Sequence, residues 1–196
     1  MLKTWYHDIQ SLPTSQEAGS SLEATITLAF DRMVDLLRSS DTFPNPEINQ
    51  LLTLAWRLIG NKEILIVGQE DLPTLHFAGT MQGRRRMAAI FLPLTFLDLL
   101  RDDPTMQLGG MTNMASHAKD YSTHKLDQHT YERASASEAD MLLTLRQLHE
   151  EESIVWQPNP YQQSLLRAFP HGLASLAPGV QYPTPSYPNE RDVPPS

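Results

Sequence analysis

The chain has 196 residues, 40% of them hydrophobic, with 15 basic and 23 acidic residues and a net charge of −8. That length and apolar fraction suffice for a packed core and argue against wholesale disorder, while the acid excess disfavours a general nucleic-acid binder, which needs a basic face to displace phosphate counterions. No cysteine is present, which removes disulfides, thiolate nucleophiles and cysteine-based metal sites.

Residues 1–19 read as an N-terminal arm interrupted by Pro13 and Gly19, with Trp5, Tyr6 and Ile9 able to pack on the body or on a partner. Helical spacing of Leu22, Ile26, Ala29, Phe30, Met33, Leu36 and Leu37 predicts an amphipathic helix over 20–39. Asn45-Pro46 is a start signal, since Asn accepts from free helix N–H groups and Pro suits the first turn. The helix it opens runs over 46–59, with Ile48, Leu51, Leu52, Ala55, Leu58 and Ile59 as its inner stripe. The β-branched run 64–67 predicts a strand, with 74–78 as its hairpin partner. Residues 81–101 contain the most apolar stretch and predict a central buried helix, kinked at Pro93.

Residues 103–137 hold few large apolar groups and read as a polar segment that is either weakly helical or functional and mobile. Helices follow over 137–150, from Met141, Leu142, Leu145 and Leu148, and over 160–169, introduced by Asn159-Pro160. Ile154, Val155 and Trp156 predict a short strand or an apolar plug. Nine of the fifteen prolines fall at or beyond Pro158, so the C-terminal end is expected to be extended. The expected organisation is mainly α: an arm at 1–19, a helical domain at 20–170 with one small hairpin, and a proline-rich tail at 171–196. The N-terminus lacks a basic stretch followed by an apolar one, and no apolar run reaches about 18 residues. Neither a signal peptide nor a membrane span is expected, and a cytoplasmic location fits.

Three clusters carry chemistry. His117, Asp120, His124, Asp127 and His129 combine imidazole with carboxylate, a donor set that suits zinc, nickel, manganese or non-haem iron. A helix through 117–127 would align His117, Asp120 and His124 as ligands, with His129 beside them and Asp127 as a base. No H-E-x-x-H pattern supports that set, and a pH-sensitive polar surface is its simpler reading. Second, Thr80, Gly83, Arg84, Arg85 and Arg86 precede the predicted central helix, where an anion would satisfy both the arginines and the helix N-terminus. Phosphate, an acidic partner or an RNA backbone would fit there, and so would pairing with the chain's own acid. A membrane-surface role for the arginines and the apolar run is weakened by Asp98. Third, Tyr182, Pro185, Tyr187 and Pro188 lie in a tail of the kind that docks in aromatic grooves. No G-x-S-x-G elbow marks a nucleophile.

No cofactor is expected, and no catalytic constellation stands out. The preferred reading is a non-enzymatic, structural subunit of a larger assembly, viral or otherwise, that contacts protein partners or itself through both arms. The alternatives are a metal-dependent enzyme built on the His/Asp cluster and an anion- or RNA-binding module centred on Arg84, Arg85 and Arg86.

Overall fold

Three helices begin on one two-residue device, a side-chain cap followed by proline. In the computed structural model, Asn45 Oδ1 accepts from the Ile48 N–H, Asp103 Oδ1 from the Met106 N–H and Asn159 Oδ1 from the Gln162 N–H, at 3.2, 3.0 and 2.9 Å. Pro46, Pro104 and Pro160 occupy the first turns, where a missing N–H costs nothing. The structure describes residues 2–19, 24–29, 31–32, 45–82 and 85–176.

In chain order these contain α1 (Leu2–Gln10), α2 (Ser15–Ala18), helical residues at 24–29 and 31–32, and α3 (Pro46–Gly60). Strands β1 (Ile64–Gln69), β2 (His76–Gln82) and β3 (Arg85–Pro93) follow. The chain then forms α4 (Phe96–Asp102), α5 (Pro104–Ser122), α6 (Thr130–Glu151), α7 (Pro160–Ala168) and a single 3-10 turn (Gly172–Ser175). The fold is mainly helical with one small sheet, as the sequence predicts. Of the predicted helix at 20–39, residues 20–23, 30 and 33–39 lie outside the described residues, and Ile26 and Ala29 are buried. The Tyr182, Pro185, Tyr187 and Pro188 region of the tail also lies outside them.

The predicted central helix is corrected to a strand followed by a short helix. Strand β3 lies between β1, which it pairs in parallel with Ile64 opposite Ala88, and β2, which it pairs antiparallel with His76 opposite Phe91. Met87, Ala88, Ala89, Ile90 and Leu92 are all buried because β3 is the middle strand. A strand covered on both faces is as uniformly apolar as a buried helix, and periodicity does not separate the two. Pro93 closes the strand rather than kinking a helix. The predicted pairing of 64–67 with 74–78 is likewise corrected, since the hairpin is β2–β3 and β3 separates β1 from β2.

Of the two readings of residues 103–137, the structure shows the helical one. Helix α5 and the first turns of α6 occupy most of the segment, and α5 buries Leu108, Met111 and Met114 interleaved with small groups: Gly109, Thr112, Asn113, Ala115, Ser116 and Ala118. Helix α6 is likewise buried through small groups, with Ala134, Ser135 and Ser137, and with Ala136 and Ala139 in a second cluster beside α7. Side chains this short let neighbouring helices pack densely and add to the few large apolar residues of α5. Helix α3 packs on α5 and β1, and α5 packs in turn on β2 and β3.

Residues 2–19 are part of the body. Leu2, Trp5, Ile9 and Leu12 join the main core, and the Glu152 carboxylate accepts from the Leu2 and Lys3 N–H groups at 2.7 and 3.2 Å, capping α1. Beyond α6, Ile154 packs on the main core and Trp156 on a second cluster of Ala136, Ala139, Leu142, Leu165 and Phe169, while Val155 is exposed. This is the apolar plug, without a strand.

The last turn is tied to α6 by Asp140, whose Oδ2 accepts from the Leu173 N–H at 3.2 Å. Gly172 has φ +53°, and a Cβ there would meet Asp140 Oδ1 at 1.8 Å. Replacing Gly172 with Ala therefore combines a left-handed penalty with loss of that tie. Chemical denaturation is expected to show a loss of about 2 kcal/mol; an unchanged midpoint would mean that this turn does not contribute to stability.

Candidate functional site

The richest polar arrangement surrounds the turn between α5 and α6, residues 123–129. Helix α5 ends at Ser122, and His124 takes φ +55°. The turn is then gathered by one side chain from the first turn of α6. Arg133 Nε and Nη2 each lie 2.8 Å from Asp120 Oδ2, and Nη2 is 3.0 Å from Asp127 Oδ1. Nη2 also donates to the Lys125 carbonyl at 2.7 Å. Asp127 Oδ1 accepts from the His129 N–H, and Thr130 Oγ1 accepts from the Asp127 N–H. The Arg133 hydrogen bond is the largest of the influences that hold the exposed Asp127 carboxyl below its usual range.

This geometry does not gather the predicted metal ligands. His117 and Asp120 share the inner face of α5, but Asp120 is committed to Arg133. His124 lies past the helix end, so the expected seven-residue spacing along one helix face is lost. His129 is exposed and 2.7 Å from Glu132. Among the described residues, no three of His, Asp and Glu converge as a metal ion requires.

His117 is instead sandwiched. Its ring stacks on Phe77 of β2 at 5.6 Å and 13°, and meets Tyr131 edge-on at 5.3 Å. Tyr121 meets the other edge of this group, 6.1 Å from Phe77. Burial holds the His117 imidazole below its ordinary pKa, with Asp120 pulling in the opposite direction. Tyr131 is 72% exposed and Leu126 47% exposed, both unusual for side chains of their kind.

Beside this aromatic group is a half-open cavity of about 640 Å³. Its apolar walls are Leu58 from α3, Ile64 from β1, Tyr121 and Leu126, and its polar rim is Glu63, Ser122 and His124. One wall is thus the turn that Arg133 braces.

The arginine cluster is placed differently from expectation. Arg85 and Arg86 pair with Gln82 and Met81 on β3, and Thr80 pairs with Met87. Gly83 and Arg84 lie outside the described residues. The segment is the end of a hairpin and not a helix N-terminus, so the helix-dipole argument for an anion there does not apply. Trp5 is buried in the main core, and the Tyr6 hydroxyl donates to His149 Nε2, whose Nδ1–H donates to the Leu145 carbonyl. Both aromatics are thus engaged within this chain.

Sequence reasoning passed over Arg133, His149 and Glu138. For Glu138 a signal existed: it stands at helical spacing between Ala134 and Met141 on the inner stripe of α6. Among the described residues no helix is long and apolar enough to cross a membrane.

Two outcomes follow from this geometry. Replacing Arg133 with Ala leaves the nearly buried Asp120 without its partner, and is expected to cost about 2–3 kcal/mol and to speed amide exchange through 123–129. Exchange unchanged in that turn would show that Arg133 does not brace it. For His117, the lowered folded pKa means stability that is complete above about pH 6.5 and lost as pH falls through the folded value. Replacing Tyr131 with Ala admits water and should raise the His117 midpoint in an NMR titration; an unmoved midpoint would rule out burial by Tyr131 as the cause.

No protein-family model matches the chain, and neither curated proteins nor solved structures include a match.

Proposed function

We propose that this chain is a non-enzymatic subunit of a self-associating protein assembly, in which the proline- and tyrosine-rich tail of one copy occupies the cavity beside the α5–α6 turn of another. The observation that carries this reading is the cavity itself. Its walls are aliphatic and aromatic, its mouth bears the exposed Leu126, and its rim offers polar groups from Glu63, Ser122 and His124. Grooves of that composition take extended proline-rich segments, which lose little conformational entropy on docking.

The sequence supplies such a segment, Tyr182-Pro183-Thr184-Pro185-Ser186-Tyr187-Pro188. Most titratable groups of the neighbouring α5–α6 turn are already engaged within the chain. Asp120 and Asp127 are held by Arg133, His129 faces Glu132, and His117 is packed between rings.

Light scattering on the native, untagged full chain tests the proposal. The expected result is a mass above one chain that falls to a monomer in Leu126→Asp and on adding excess peptide of residues 177–196. A monomer at every concentration that ignores the peptide overturns the proposal, as does an oligomer indifferent to both perturbations.

A further inference from the structure

A carboxyl group sealed from water carries a large desolvation cost unless it is neutral or well paired. Glu138 is 2% exposed, in the middle of α6. Its Oε2 accepts from Asn113 Nδ2 of α5 at 2.9 Å and from Tyr161 Oη of α7 at 3.0 Å. Gly109 makes room for it, since a Cβ there would lie 3.3 Å from Glu138 Cγ. The groups that face the carboxyl from the neighbouring helices are thus an amide and a phenol. On its own helix, Arg133 is engaged by Asp120 and Asp127, and Asp140 by the Leu173 N–H and Asn45.

Helix α7 packs on the smaller of the two apolar clusters, in which Leu165 and Phe169 are buried, and the Tyr161 bond joins it to Glu138. Gln162, next to Tyr161, is buried with its Nε2 lacking a hydrogen-bond partner, which works against seating.

We propose that Glu138 is a proton-controlled latch: with its carboxyl protonated, α7 and the following turn stay seated on α5 and α6, and ionisation favours their release. Release would uncover the face formed by Ala136, Ala139 and Leu142 and would free the segment from which the C-terminal tail continues. The latch does not depend on where the tail docks.

Burial is the dominant influence on this carboxyl and pushes it up from 4.5 to about 7, against the opposing hydrogen bonds from Asn113 and Tyr161. In the released state the group meets water and returns to the ordinary carboxylate range. Seating is therefore strongest below about pH 4.5, weakens as pH rises toward about 7, and levels off above it.

Hydrogen exchange on the full chain, corrected for intrinsic rates, reads this out. Between about pH 5 and about pH 7.5 the opening of 160–176 should increase by up to about fiftyfold, ahead of α5 and α6 at both values. Glu138→Gln cannot ionise and should abolish that dependence. The same increase in Glu138→Gln, or exchange of α7 only together with α5, overturns the latch. Should Glu138→Gln fail to fold, carboxyl NMR of the wild-type chain decides: a Glu138 midpoint near 7 supports the proposal and one in the ordinary range overturns it.

Discussion

The close approach of α5 and α6 governs most of the molecule. Two long helices pack on each other, with Gly109 against Glu138 and Leu142 and with buried Ala, Ser and Thr along both, and the sheet, α3 and α7 are arranged around that pair. Short side chains exclude water without supplying much apolar area of their own, so the interface relies on dense packing and on hydrogen bonds made inside it. Thr112 and Ser137 satisfy this locally by donating to the Leu108 and Arg133 carbonyls. Glu138 cannot, and draws on Asn113 across the interface.

The same interface explains where polar chemistry accumulates. At one end Arg133 gathers the turn after α5, and at the other the Tyr6 hydroxyl bridges Thr105 of α5 and His149 of α6. His149 also stacks on Trp156 at 5.7 Å, so the N-terminal helix and the chain beyond α6 are held by one imidazole. The ends of the helix pair are thus fastened by side chains that are far apart in sequence.

Local signals were readable where the structure is local. The Asn45-Pro46 and Asn159-Pro160 starts and the inner stripe of α3 follow from capping and periodicity alone. Asp103-Pro104 carries the same start signal, yet α5 is hidden because its few large apolar residues, Leu108, Met111 and Met114, are interleaved with small and polar groups that are also buried. The run around Met87 to Leu92 was readable as buried but not as strand, because its pairing with β1 and β2 determines which it is. At the candidate site, His117 and Asp120 were correctly placed on one helix face. The end of α5 before His124 and the reach of Arg133 across the turn depend on three-dimensional geometry that spacing does not encode.

The sheet order has a kinetic consequence. β2 and β3 are adjacent in sequence and can close as a hairpin on their own, whereas β1 joins β3 only by bridging the separation between Ile64 and Ala88. Non-local closure carries the larger entropic barrier, so β1 is the later strand to add. Until it does, β3 presents the open edge of an apolar strand, which is a surface that captures other extended chains as readily as its own. Folding of this chain at high concentration is therefore a race between β1 and its neighbours.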